Sequence, residues 1–479
     1  MLDKIKSLSK QTLVYGTSQI IGRFLNFILV PFYTNIFPPA EYGVIAVIYS
    51  YIAFLNIVYS AGFESGYFKF ASTLEIGDEK ENFSIPFFTI LVNSAFFSLV
   101  MLIFSSPLSK LIGIRNAPEI IIYTALILFF DALVIVPFAR LRLKNKAKKF
   151  AALKITNIVL NVVLNFVLIL VFKFGIVAVF ISNLAASIIT FILLIPDIYK
   201  SIGLKYNGAL FNELSKFSLP YIPAGLSAII VQVLDRPIMK YLTDDATVGI
   251  YQANYRLGIF MMLIVSMFEY AWRPFFLNTA NQPNAKEIFS KVLTIFMGFS
   301  SIILIILTFF IEDIIKIPLP RRGHLIGAQY WSGVYIVPII LYAYIFNGIY
   351  VNLIAGIYIE KKTKYLPLIT GLGAVINIVA NFILIPYYGI MGGAIATFLS
   401  YFAMAVYIYF VTQKFYPVKY EMNRIYLLHL LNVIGITLYY LTYYSVIPSG
   451  LIIKLFMVIV LSLMIFYSSG LTKAKNSIV

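Results

Sequence analysis

PFYTNIFPPAEYGVIAVIY, residues 31–49, returns as PIMKYLTDDATVGIYQANY at residues 237–255. At one constant offset Pro31 aligns with Pro237, Ala40 with Ala246, Gly43 with Gly249 and Tyr49 with Tyr255, and upstream Tyr15 aligns with Tyr221. Further along, Asn161-x-x-x-Asn165-Phe166 recurs as Asn377-x-x-x-Asn381-Phe382, and each copy is followed by a Gly-Ile step, Gly175-Ile176 and Gly389-Ile390. Two copies of one helical bundle are how many membrane transporters build a central site that opens to alternate sides. The repeat therefore points to a transporter, provided that the chain spans a membrane.

Composition meets that condition. The chain has 479 residues, 61% hydrophobic and 12% charged, with a mean hydropathy of +0.91. A soluble domain carries about 45–50% apolar and about 25% charged residues. Apolar runs long enough to span, roughly 20 residues, tile nearly the whole chain. The basic amino end MLDKIKSLSK precedes an apolar stretch that runs on to about Phe37 with no small-residue cleavage signal, which reads as a first span rather than a signal peptide. There is no cysteine, which excludes disulfides and thiolate metal sites, and there are two histidines, His324 and His429, too few for a zinc or di-iron centre. The net charge of +17 fits basic inner loops better than nucleic-acid binding.

The spans are predicted at 12–37, 42–61, 84–105, 118–138, 152–172, 175–196, 217–241, 248–270, 289–310, 330–356, 366–386, 389–411, 425–444 and 451–471, about fourteen helices in all. With the amino end inside, inner loops hold about 26 of the Lys and Arg residues, outer loops about 8 and spans about 3. The loop RLRLKNKAKK at 140–149 is the strongest inner cluster. Both termini are thus expected in the cytoplasm. The expected organisation is an amino lobe at 1–196 (helices 1–6), a cytoplasmic linker at 197–216, a carboxyl lobe at 217–411 (helices 7–12), and two further helices with a tail at 412–479. The fold class is an all-α integral membrane protein of two pseudo-symmetric six-helix lobes around a central cavity, plus those two helices. An even helix count per repeat places both copies in the same membrane orientation.

The stretch LDRPIMKYLTDDATVGIYQANYRLG, 234–258, carries a more specific signal. Its Asp235-Arg236, apolar-aromatic run, short acidic turn and Gly249-Ile250-Tyr251…Tyr255-Arg256 resemble the seventh and eighth helices of bacterial oligosaccharide flippases. Tyr15-Gly16, Arg23, Pro31 and Glu41-Tyr42-Gly43 are similar to that family's opening, and Ala271-Trp272-Arg273-Pro274 to its exit from helix 8. The resemblance covers the whole chain and is to Wzx-type flippases of O-antigen and capsule repeat units. These are polysaccharide transporters in the superfamily of multidrug, oligosaccharidyl-lipid and polysaccharide exporters that also holds the lipid II flippases. It implies a V-shaped bundle around a lipid-accessible cavity and a polyprenyl-diphosphate-linked oligosaccharide as cargo. The cargo would move from the cytoplasmic to the outer leaflet of a bacterial inner membrane, with membrane lipid, a polysaccharide polymerase and chain-length proteins as the partners the resemblance implies.

A diphosphate and a glycan cannot cross bare hydrocarbon, because isolated ions there cost several kcal/mol or more. Arginine suits such a cargo: its planar fork donates in pairs and stays charged. Three arginines fall within the predicted spans: Arg23, Arg236 and Arg256. Charges at that depth face an interior or a hydrated space, so each is a functional candidate as well as a structural partner. Arg23 lies roughly 17 Å into helix 1 and Arg256 roughly 12 Å into helix 8, and lipid II flippases carry cations on the same two helices. Arg236 adjoins Asp235, which leaves snorkelling, a local ion pair and cargo contact all open. The acids Asp131, Asp235 and Glu269 are read as sites for a coupling H⁺ or Na⁺ or as partners of the arginines, with Arg23 the expected partner of Asp131. Asn161 and Asn165, with their repeats Asn377 and Asn381, read as interhelical hydrogen-bond groups or as polar donors to a cavity. Pro31 and Pro237 predict bends at matched places in the two copies.

No G-x-x-x-x-G-K-[ST] phosphate loop, nucleophile triad or metal-ligand cluster occurs, so the chain reads as a secondary transporter without a cofactor and not as an enzyme. A cation-coupled multidrug exporter of the same superfamily is the alternative, and its site would favour aromatics and acids over arginines. A membrane-embedded polysaccharide polymerase or ligase is a third reading, which the short loops and the repeat disfavour.

Overall fold

The computed structural model is almost wholly helical and describes residues 22, 25, 27–114, 117–319, 323–448 and 450–470. A short apolar helix, α1 (Phe27–Ile36), comes first. After it, thirteen helices among the described residues are long and apolar enough to cross a membrane. They are α2 (Pro39–Ser60), α3 (Glu79–Ile103), α4 (Pro118–Leu143), α5 (Ala147–Leu170), α6 (Val177–Ser201), α7 (Gly208–Val233), α8 (Asp245–Thr279), α9 (Ala285–Ile315), α10 (Ala328–Ile359), α11 (Thr363–Tyr388), α12 (Ile390–Phe415), α13 (Met422–Tyr443) and α14 (Leu451–Ser468). Fourteen helices in this order are what the apolar runs predict.

Local chemistry sets several helix starts. Asp78 and Glu81 form a reciprocal capping box on α3: Glu81 N donates to Asp78 Oδ1 at 2.8 Å and Asp78 N to Glu81 Oε2 at 3.1 Å. Asp244 accepts from Thr247 N at 2.9 Å to open α8. Before α6 and α12 the chain turns through Gly175 (φ 58°) and Gly389 (φ 54°), left-handed conformations that a side chain disfavours. The Gly-Ile steps of the repeat are thus turn positions in both copies.

Helix 7 departs from the expected continuous span at 217–241. The linker residues Gly208–Ser218 are themselves helical and lead into Tyr221–Val233; the helix then breaks at Leu234 and resumes as Asp235–Leu242. Pro237 has no N–H for the Val233 carbonyl. The Arg236 N–H turns to Asp235 Oδ1 at 3.0 Å, while the Arg236 guanidinium takes the Gln232 carbonyl at 2.5 Å. Side-chain bonds thus replace backbone bonds at the break. By contrast α1 runs through Pro31 without interruption. A small β-hairpin, β1 (Pro318–Leu319) with β2 (Gly323–His324), lies in the loop after α9, an element the sequence reading had as loop.

The chain divides into two compact units, residues 1–29 with 44–229, and residues 30–43 with 230–479. In the first, α5 packs on α6, and α4 on both α3 and α6. In the second, α10 and α11 pack on α12, α10 also packs on α8, and α13 and α14 pack on α9. In α10 78% of the apolar stretch is buried against 17% in α14, so α10 is the core of its unit and α14 lies at its periphery.

The expected division at the 197–216 linker differs from this partition: the chain passes between units inside α1, α2 and α7. The second unit keeps residues 30–43 for two physical reasons. Gly43 and Gly249 let the starts of α2 and α8 touch main chain to main chain. A Cβ on Gly43 would lie 1.8 Å from the Asp245 carbonyl oxygen, and one on Gly249 1.9 Å from that of Pro39. The hairpin also ties down the end of α1. Asn35 donates to the His324 carbonyl at 2.6 Å and accepts from its N–H at 3.1 Å, and Tyr330 OH donates to the Phe37 carbonyl at 2.8 Å.

Candidate functional site

In the second unit the break in helix 7 sets two opposite charges side by side in a dry interior. Arg236 Nη1 lies 2.6 Å from Asp235 Oδ1, with side chains only 5% and 1% exposed. Tyr251 OH donates to Asp235 Oδ2, and Arg236 Nε donates to Gln252 Oε1 at 2.9 Å. The guanidinium carbon stands 4.0 Å from the ring centre of Tyr255 and 5.5 Å from that of Tyr251. Tyr344 and Tyr401 continue the aromatic wall, with ring centres 6.5 Å (Tyr255–Tyr344) and 6.0 Å (Tyr344–Tyr401) apart. Both carboxylate oxygens are engaged and the cation is covered by π-faces. The structure therefore places Asp235 and Arg236 as each other's partners.

Arg256 lies at the edge of this cluster and differs from it. It opens a 3₁₀ turn, Arg256–Gly258, that interrupts α8, and it is exposed. It comes within electrostatic reach of Tyr42 and Tyr344 but forms no ion pair among the described residues. Measured from Asp245 it sits about 17 Å along the span at about 1.5 Å per residue. A guanidinium with no ion pair among the described residues is too costly at that depth to face acyl chains, which marks Arg256 as a candidate for a hydrated or anionic environment.

The first unit holds a second polar group. Ser187 Oγ on α6 donates to Asp131 Oδ1 on α4 at 2.6 Å, and Asn157 on α5 donates to Thr190 Oγ1 on α6 at 2.9 Å. Asn183 Nδ2 donates to Tyr49 OH at 3.1 Å. Asn183, Ser187 and Thr190 stand at i, i+4 and i+7, one face of α6, a stripe legible in the sequence and missed by attending to charges. Lys154, at the edge of the predicted 152–172 span, is a further cation that attention to the arginines passes over. It lies within α5, exposed, with Nζ 4.4 Å from the Phe138 ring centre and within electrostatic reach of Asp131. A carboxylate with one hydroxyl donor and a cation nearby can exchange a proton or a small cation without losing a dedicated salt bridge.

The other predicted residues fall elsewhere. Arg23, and with it the expected Arg23–Asp131 pairing, lies outside the described residues. Asn165 Nδ2 donates to the carbonyl and side-chain oxygens of Asn161, both at 2.8 Å, and Asn381 repeats this on Asn377 at 2.8 and 3.0 Å. Asn165, Asn377 and Asn381 are fully buried. These asparagines bond along their own helices, at matched places in the two copies. Glu269 forms an exposed i, i+4 pair with Arg273 at 2.8 Å. Pro31 offers its carbonyl to Asn35 Nδ2 at 2.7 Å. In the loops, the backbone N–H of Thr247 holds the Asp244 carboxyl below its ordinary range.

Comparison with known proteins bears on this arrangement. A family profile described as "Polysaccharide biosynthesis protein" matches residues 34–322. No curated protein matches the sequence significantly. Among solved structures the chain is similar to the lipid II flippase MurJ in an inward closed conformation, at 19% identity and a TM-score of 0.73, covering 97% of this chain and 99% of that one. It is also similar to an inward-facing multidrug resistance MATE family transporter of the MOP superfamily, at 14% identity and a TM-score of 0.63 over 82% and 94% of the two chains. A third is a MOP superfamily transporter from Pyrococcus furiosus described by the reverse polarity of its binding pocket, at 14% identity and a TM-score of 0.56 over 85% and 95%. At such identities the likeness is one of fold: an all-α, multi-pass membrane architecture of the MurJ and MATE kind.

Proposed function

Because the chain belongs to the polysaccharide biosynthesis protein family, we propose that it flips a polyprenyl-diphosphate-linked oligosaccharide from the cytoplasmic to the outer leaflet by alternating access. The membrane would be a bacterial inner membrane, with both termini cytoplasmic and the polymerase and chain-length proteins of the same pathway as neighbours. The observation that carries the reading is Arg256: exposed, without an ion pair among the described residues, and deep within a span. A diphosphate is the ligand class that matches a fixed, bidentate cation in such a place. Arg23 would serve as a second grip. Arg236 is already neutralised by Asp235 and would hold the break in helix 7 rather than touch cargo.

Energy would enter through a coupling H⁺ or Na⁺ at Asp131, the intramembrane acid whose hydrogen bond comes from a single hydroxyl. The multidrug-exporter reading draws on the MATE likeness, but a cationic drug would be repelled by Arg256. Complementation of a flippase-deficient strain separates the two. Arg256→Ala, at matched membrane levels, should abolish surface glycan, and Arg256→Lys should restore part of it. Asp131→Asn should uncouple export from the ion gradient. Full surface glycan from Arg256→Ala would overturn the anionic-cargo reading.

A further inference from the structure

The first unit carries a trough of about 610 Å³ along α3, closed at one end by the linker segment 203–206 and by Phe211. Phe88, Val92 and Phe96 stand at i, i+4 and i+8 on one face of α3. They are exposed by 37%, 68% and 60% in a span of apolar character, so the trough opens to the hydrocarbon. Three polar groups of its α3 wall are already bonded elsewhere. Asn93 Nδ2 donates to the carbonyls of Val58 and Tyr59 at 2.9 Å each, Thr89 Oγ1 to that of Ile85 at 2.7 Å, and Ser84 Oγ accepts from Gly203 N at 2.7 Å. An alkyl chain laid there would leave these bonds intact. From Ser84 to Phe96 the trough is about 18 Å long at about 1.5 Å per residue, close to half of the roughly 30 Å hydrocarbon core. It therefore has the length of one leaflet.

The closed end is cationic. Gly203 runs against Lys80, whose Cβ lies 2.9 Å from where a Cβ on Gly203 would stand. Lys80 is exposed and forms no ion pair among the described residues. Lys205, 80% exposed, reaches Glu81 at 3.0 Å, and Glu79 is taken by Arg140 at 3.0 Å and Lys144 at 2.9 Å. Glu79 and Glu81 are thus both paired with other cations, and Lys80 is left over. Leu204 and Tyr206, exposed by 93% and 71%, suit a headgroup region, where apolar and aromatic side chains settle.

We propose that this trough holds one acyl chain of an anionic phospholipid of the linker-side leaflet, with its phosphate over Lys80, since Glu81 already meets the charge of Lys205. By the Lys and Arg distribution that leaflet is the cytoplasmic one. Such a lipid fastens the 203–206 segment to the membrane. Basic residues beside a membrane attract anionic lipid by about 1 kcal/mol each, roughly a fivefold preference per charge.

The test uses the full chain in vesicles that carry a photoreactive acyl-chain phospholipid, made once with a phosphatidylglycerol head and once with a phosphatidylcholine head. The anionic probe should label peptide 84–96 about fivefold more than the zwitterionic one. Lys80→Gln should bring the two level, while Val92→Trp should lower both. Equal labelling by both heads in the unaltered protein would make the trough ordinary boundary lipid and overturn the proposal. So would displacement of the anionic probe by an equimolar polyprenyl phosphate, which would assign the trough to the cargo. Lys80 is a surface residue, so its variant keeps the test decisive if Val92→Trp fails to fold.

Discussion

Splitting the Asp235–Arg236 pair is the sharpest way to separate a structural arginine from a cargo arginine. The pair is 2.6 Å apart and almost fully enclosed, and the carboxylate also holds the Arg236 N–H and the Tyr251 hydroxyl. Removing one member strands the other charge in low dielectric, which costs about 3–5 kcal/mol. At roughly 2 °C per kcal/mol for a unit of this size, Arg236→Gln or Asp235→Asn alone should lower the melting midpoint by about 6–10 °C. The double variant keeps two neutral amides in place of two charges. Imperfect amide bonding leaves about 1–3 kcal/mol, hence a loss of about 2–6 °C. Arg256→Gln, on an exposed side chain without an ion pair among the described residues, should move the midpoint by about 1 °C or less. Size-exclusion thermostability of detergent-solubilised protein reads all four variants. If Arg236→Gln melts with the parent, or if the double variant loses the sum of the singles, the pair is not what holds helix 7 together.

Two further expectations can be checked with single substitutions and fusions. Gly43→Ala would place a methyl 1.8 Å from the Asp245 carbonyl, so membrane yield and export should both collapse, while alanine at Gly371, where a Cβ meets nothing within 4 Å, should be silent. Reporters fused after Lys149 and after Leu471 should both read as cytoplasmic, and an external signal at either place breaks the orientation argued from the 140–149 cluster.

Much of the architecture was legible because it rests on repetition and apolar length. Gly43 and Gly249, Gly175 and Gly389, and the two asparagine pairs each do the same local work in both copies. What stayed hidden depends on contacts that no local pattern encodes. The break at Leu234 needs the Arg236 side chain to reach the Gln232 carbonyl, and Pro237 by itself does not announce it, since α1 runs unbroken through Pro31. The hairpin at 318–324 has no strand periodicity, and its partner Asn35 is 289 residues away. Lys154 stands at the very edge of the predicted 152–172 span, whereas the helix begins at Ala147 and carries Lys154 about two turns in. For Arg236 the sequence left three roles open, and only three-dimensional neighbours could select the ion pair.

The meeting of Gly43 with Gly249 has a consequence for genetics. A damaging substitution is commonly rescued by a second one that trims whatever the new side chain strikes. Here the obstacles are the carbonyl oxygens of Asp245 and Pro39, and every residue type carries a carbonyl. No replacement at 245 can make room for alanine at 43, and none at 39 can make room for alanine at 249. A suppressor screen on either variant would return reversions to glycine and nothing within the contact itself, and the two positions would drift, if at all, only by moving the main chain of both helices together.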